Sequence, residues 1–441
     1  MGQIFSYLKK NIFVIVLVFS VGAYTGYKVL ESIGMAVLMA NIPIPEGSIA
    51  DKDAFVQNLP EGKVLEPKEL LSVEKKAKNI ILLIADGMSI SQVSSYRLIK
   101  GGPNERLAVD KFPVSGIVLT HSEDAIVTDS ASSATAYSTG FKTINGALGL
   151  DKDLNYLENL TEKIHNYGYV SSLISTSEIT HATPAAFAAH VDLRWKTDEI
   201  SKQMIESNVV TILGGGRHFF LPEEMGGKRD DGLNLYEQVE STQTLLTHKD
   251  QLDSVDLTTT KKVIGLFADE HLRDIEKPDN HASEPATKEM LDFAIKRSEA
   301  LMQNGCRGSF IMVEGSQVDW AGHANSIDYL VREMEDFEEA VVLAKSYAEQ
   351  NKETLVIVTA DHETGGLLIE PLKPTAYTAP EVKFSFNTGI GYGSHTGVPV
   401  PVYAYGPGSE NFTGTMDNTD IYRAMVAALD LSDETGSCIG D

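Results

Sequence analysis

The chain has 441 residues, 42% of them hydrophobic and 22% charged, with 36 glycines. Its 62 acidic and 37 basic residues leave a net charge of −25, which argues against nucleic acid or an anionic membrane surface as a partner. Two cysteines, Cys306 and Cys438, are too few for a disulfide-dense scaffold or a thiolate metal cluster, and one bridge between them stays open.

Lys9 and Lys10 precede an uncharged run, Asn11 to Tyr27, whose core is IFVIVLVF. Its length falls between a signal-peptide core and a full membrane span. Val21-Gly22-Ala23 offers a cleavage site, but apolar character resumes from Ile33 to Ile44, which favours an uncleaved anchor. Basic residues ahead of the run keep the N-terminus inside and send the remainder out, so export is expected with or without cleavage. Residues 45–78 are polar and read as a linker or arm, leaving 79–441 as the main domain.

That domain opens with NIILLIA (Asn79 to Ala85), a continuous apolar run of the kind buried on both faces of a sheet. Similar runs follow at Gly116–Thr120, Tyr169–Thr176, Val209–Leu213, Ser309–Glu314, Thr354–Ala360 and Val400–Tyr405. Helical patterns lie between them at Asn155–Tyr167, Ala286–Gln303, Asn325–Glu349 and Asp417–Leu429. Alternating strands and helices predict an α/β fold, a three-layer α/β/α sandwich around a mostly parallel sheet. The charged stretch 217–280, with one strand-like piece (Val263 to Ala268), is expected to be an insertion with a small substructure of its own.

In such sheets ligands bind beyond the carboxyl ends of the strands. Polar, metal-capable residues do follow the strands here. Asp86 comes after the first, and Glu314 ends SFIMVE ahead of Asp319 and His323. Asp361 and His362 follow TLVIVTA, and His395 sits in GSHTG. Capping explains an isolated Asp but needs no imidazole. Carboxylate and imidazole without thiolate is the donor set of catalytic zinc sites. Two ions about 3.5–4 Å apart would clamp the attacking and leaving oxygens of a displacement. In VTDSASSATAYSTG (Val127 to Gly140), small residues and a helix start suit close approach of an anion. Ser130 is there a candidate nucleophile, with Asp129 beside it as a candidate metal ligand. Arg194, in THATPAAFAAHVDLRW, has the planar fork that fits two phosphoryl oxygens.

Together these segments resemble the alkaline phosphatase family. VTDSASSATAYSTGFKTINGALG, ATPAA, VEGSQVDWAGHAN and TADHETGG occur in the family's order, and the resemblance spans roughly Asn79 to Leu429. It implies hydrolysis of small phosphate monoesters at alkaline pH through a phosphoserine intermediate, with two zinc ions and usually a magnesium. Position by position, it implies Ser130 as nucleophile, Arg194 as phosphate-binding group and Asp129 as the neighbour that holds the arginine. Asp319, His323 and His395 match the ligands of the first zinc. Asp86, Asp361 and His362 match those of the second, next to Ser130, and Asp86, Thr183 and Glu314 match the third-metal site. The family commonly forms homodimers.

Two positions depart from many bacterial members: His181 stands for an aspartate and Trp320 for a lysine, both on the substrate side. Imidazole there weakens the case for magnesium and makes zinc or cobalt the alternative. The rival readings are a phosphodiesterase or phosphomutase of the same superfamily, or a non-catalytic phosphate- or metal-binding relative.

Overall fold

A computed structural model of the protein describes residues 67–272, 283–372 and 381–439. The candidate anchor, its cleavage site and most of the linker lie outside the described residues. Among the described residues no helix is long and apolar enough to cross a membrane.

Fourteen strands are described, and in chain order they are β1 (Asn79–Ala85), β2 (Val114–Leu119), β3 (Tyr169–Glu178), β4 (Thr211–Gly215), β5 (Thr244–Leu246), β6 (Val263–Leu266), β7 (Gly308–Gly315), β8 (Thr354–Thr359), β9 (Glu363–Thr364), β10 (Leu368–Pro371), β11 (Val382–Ser385), β12 (His395–Thr396), β13 (Val400–Tyr405) and β14 (Gly414–Asp417). Ten of them build one sheet in the order β14-β2-β13-β8-β1-β7-β3-β4-β6-β5. Only β13 runs antiparallel to its neighbours, β2 and β8. β1 lies at the centre, its Ile80 between Phe310 of β7 and Leu355 of β8.

Every residue of β1, β3, β7 and β8 is buried, so both faces of the sheet are covered. That is why these strands read as unbroken apolar runs rather than alternating ones. The long helix Ile327–Gln350 packs on helix Thr287–Gln303 and against β8, β1 and β7. Helix Ser130–Thr139 packs against helix Asn418–Ala428. The fold is the expected α/β class with flanking helices.

Three local expectations are corrected. The predicted helix at 155–167 shrinks to Leu160–His165, started by a capping box between Asn159 and Glu162. Upstream, the Asp151 carboxylate accepts from the amides of Asp153 and Asn155, a local turn that competes with helix. The helix expected from Asn325 begins at Ile327, because Asn325 takes a left-handed φ of 53° after a separate short helix, Gln317–His323. Among its described residues, the 217–280 stretch makes no sheet of its own. Its β6 pairs with β4 and its β5 with β6, extending the central sheet. The edge of β4 offers unpaired backbone groups, and the fully buried VIGL segment satisfies them.

The end of the linker docks on the domain, the Ala77 amide donating to Ala428 O at 2.8 Å. Cys306 and Cys438 are joined in a disulfide.

Candidate metal centre

Parallel strands carry their carboxyl ends to one rim. Asp86 follows β1 directly and Glu314 is the penultimate residue of β7. The helix Gln317–His323 then places Asp319 and His323 one turn apart on the same face, with His323 Nε2 3.1 Å from Asp319 Oδ2. Asp361 and His362 leave β8. The β9–β12 ribbon, pairing Thr364 with His395, carries His395 back to the same rim. Gly87 makes this crowding feasible: its φ is +77°, and a Cβ there would lie 2.7 Å from Asp319 Cα.

Ser130 opens the helix Ser130–Thr139, all of whose residues are buried. Its Oγ lies 3.2 Å from His362 Nε2. Asp129 is the N-cap. Its Oδ1 accepts from Ser132 N at 2.9 Å, and its Oδ2 accepts from Gly146 N and Arg194 Nη1, both at 3.1 Å. The expectation that Asp129 binds a metal is therefore corrected: its lone pairs serve the helix cap and the arginine, and it joins none of the carboxylate–imidazole clusters. The Arg194 fork is held at its other end, where Nη2 lies 3.0 Å from His181 Nε2.

Among the described residues, three groups of candidate ligand atoms gather within 4.8 Å of one another: Asp319, His323 and His395; Asp86, Asp319 and His362; and Asp86, His181 and Glu314. Asp361 lies beside the second, its Oδ2 3.2 Å from His362 Nε2. The donor atoms suit a cation. Both carboxylate oxygens of Asp86, Asp361 Oδ2, Glu314 Oε1, His181 Nδ1 and Thr183 Oγ1 are buried with no hydrogen-bond partner. Orphaned carboxylate oxygens in a dry interior cost free energy that a divalent ion would recover.

The histidines are oriented for the same purpose. His323 Nδ1 meets Gly393 O at 2.7 Å, His395 Nδ1 meets Thr128 O at 3.0 Å, and His362 Nδ1 meets Thr364 Oγ1 at 3.2 Å. A backbone carbonyl can only accept, so His323 and His395 carry the proton on Nδ1 and present the Nε2 lone pair to the clusters. The electrostatics agree. Burial, reinforced by Asp361, Asp319 and Glu314, pushes the Asp86 carboxyl well above the usual carboxylate range. Burial and the neighbouring Asp319 push Asp361 up to about 7. Burial, with His395 alongside, holds His362 well below ordinary imidazole, and burial also lowers His395. Crowded carboxylates beside the His362 and His395 imidazoles, which burial keeps neutral, form a site whose charge is balanced when cations enter.

The candidate ligands named from the sequence lie on one rim, but their grouping differs from the expected one. Asp319 lies between the first two groups rather than in the first alone. His181 lies with Asp86 and Glu314, at the third-metal site whose choice of ion it was expected to influence. Trp320 joins none of the three groups. It packs edge-to-face on His181, ring centroids 6.1 Å apart. Thr364 and Ser175 were missed. Thr364 Oγ1 donates to Asp319 Oδ1 while touching His362, and Ser175 Oγ donates to Glu314 Oε2 at 2.6 Å. Thr364, two residues beyond His362, carried a signal, since small polar residues flanking ligands commonly orient them. Ser175 had none that a linear reading could use.

The comparisons with known proteins point the same way. The family profile described as alkaline phosphatase matches residues 77–383 and 374–431. Alkaline phosphatase 3 of Bacillus subtilis is 33% identical over 457 residues, covering 87% of this chain and 95% of that protein. The structure of the alkaline phosphatase from the Antarctic bacterium TAB5 superposes with a TM-score of 0.71 at 34% identity, covering 81% of this chain and 99% of that one. A TAB5 variant with aspartate replacing a histidine, similar at a TM-score of 0.70 and 34% identity over the same shares, has magnesium bound in a site named M3. The chain belongs to the alkaline phosphatase family, enzymes that hydrolyse phosphate monoesters with the help of metal ions.

Proposed function

We propose that this phosphomonoesterase works through a phosphoserine on Ser130, with two zinc ions and a third cation in the three ligand groups. Asp319, His323 and His395 would hold the first zinc, a carboxylate–imidazole set that suits it. Asp86, Asp361 and His362 would hold the second. Asp86, Thr183 and Glu314 would hold the third, where an oxygen-rich set suits magnesium and His181 favours zinc or cobalt. When bound, these cations lower the pKa of a hydroxyl and of water and offset phosphoryl charge.

The chain's own residues supply the rest. Arg194 offers two N–H groups to two phosphoryl oxygens, its plane fixed by Asp129 on one side and His181 on the other. Ser130 Oγ attacks phosphorus in line with the departing alcohol, which leaves with a proton. Water then attacks the phosphoserine and releases phosphate, and the serine hydroxyl is restored. Trp320 and His181 wall the substrate side, the His/Trp pairing that separates this chain from members with aspartate and lysine. The N-terminal run supports export to the outer side of the membrane, and the family resemblance supports a homodimer.

The observation that carries this reading is the 3.2 Å approach of Ser130 Oγ to His362 Nε2, which supports Ser130 as a nucleophile beside the second candidate ligand group. Acid quenching during turnover of a labelled monoester tests it. The parent protein should retain label on Ser130. Ser130→Ala should trap none, lose about a thousand-fold or more in kcat, and keep its metal content. A normal pre-steady-state burst in Ser130→Ala would sink the assignment.

A further inference from the structure

The edge stretch that follows β6 reaches the centre of the site. Beyond Leu266 the chain folds over the carboxyl ends of β4 and β3. Phe267 N donates to Gly214 O at 2.9 Å, and the amides of Gly216 and Arg217 donate to Ala268 O at 3.1 and 3.0 Å. Leu272 N donates to Thr176 O at 3.0 Å, and its own carbonyl accepts from Gln317 Nε2 at 2.7 Å. Gly215 is required for this approach, since a Cβ there would lie 1.9 Å from Glu270 O.

Clamped on both sides, the segment lays the His271 ring on Trp320, with centroids 4.2 Å apart and planes at 57°. Trp320 in turn meets His181 edge-on. His271 Nδ1 is paired with the carboxylate of Glu178, the last residue of β3, whose carbonyl accepts from the His181 amide at 2.9 Å. His181 is thus gripped through its backbone by Glu178 and through its ring by Trp320, and it is the residue against Arg194 Nη2.

We infer that His271 is a positioning residue for phosphate binding: by packing its tilted ring against Trp320 it fixes the His181–Arg194 pair in the orientation that receives the phosphoryl group. The inference rests on the assignment of Arg194 to phosphate made above. Aromatic pairs of this kind are worth a modest amount beyond their buried area, so losing the ring should raise the dissociation constant of phosphate about 2- to 12-fold.

The test uses the zinc-loaded enzyme carrying Trp195→Phe, in which Trp320 is the only tryptophan left. Phosphate affinity is measured by calorimetric titration, and Trp320 mobility by fluorescence anisotropy decay with and without metal. His271→Ala should raise both the phosphate dissociation constant and KM within that range, change kcat less, and quicken the anisotropy decay. His271→Phe keeps a ring on Trp320 while discarding the partner of Glu178, and should return both readouts to within about 2-fold of the parent. Parent-like phosphate affinity in His271→Ala overturns the inference, as does a His271→Phe variant as weak as the alanine. Should Arg194→Ala bind phosphate as tightly as the parent, the underlying assignment fails first, a result separable from either of these.

Discussion

Replacing Asp129 with alanine separates the binding of phosphate from the chemistry performed on it. The carboxylate touches three groups: the Ser132 amide, the Gly146 amide and Arg194 Nη1. In the variant Arg194 keeps its contact with His181 but loses the anchor on Nη1. The guanidinium must then be reordered each time phosphate binds, at about 0.5–1.5 kcal/mol for one rotamer-rich side chain, or about 2- to 13-fold in affinity. Substrate, transition state and product share that cost, so KM and the inhibition constant of phosphate should rise together while kcat does not fall. Losing the N-cap should separately lower stability by about 0.5–2 kcal/mol. Steady-state kinetics, phosphate inhibition and urea denaturation on the same preparation supply all three values. Unchanged KM with a collapse in kcat would show that Asp129 acts on the reacting atoms and would refute the positioning argument.

His181→Asp converts the third ligand group to an all-oxygen set, so the magnesium concentration for half-activation should fall about ten-fold or more; calorimetry with magnesium alone checks it, and an unchanged affinity would count against His181 as the determinant. Lys262 donates to the carbonyls of Met204, Ile205 and Ser207 at 2.9, 2.7 and 2.7 Å, and burial pushes its ammonium down to about 7 from 10.5. The unfolded chain therefore binds more protons between those values, and this residue makes stability rise with pH across the window by up to about 1.4 kcal/mol per unit. Lys262→Met removes the contribution, so the stability gap between the two proteins should change with pH in denaturation series, whereas parallel curves would refute it.

Much of this site could be read along the chain because each ligand sits next to a strand that announces itself. NIILLIA could only be a doubly covered strand, and its parallel partners sent Asp86, Glu314 and Asp361 to one rim. Spacing along one helix put Asp319 and His323 on a common face. Positions whose role depends on a neighbour distant in sequence were not readable. Thr364 matters because it bridges Asp319 and His362. His271 matters because a segment nearly fifty residues upstream of Trp320 folds back onto it.

Sequence alone determined the α/β class, the exported-segment expectation, the family and a set of candidate ligands, since strand burial and ligand chemistry are properties of short segments. Tertiary structure decided how the ligands are shared. Asp319 stands between two groups, Thr364 bridges Asp319 and His362, and the two cysteines meet. These outcomes depend on which backbones approach within a few ångströms across the rim, and packing between distant segments sets that distance.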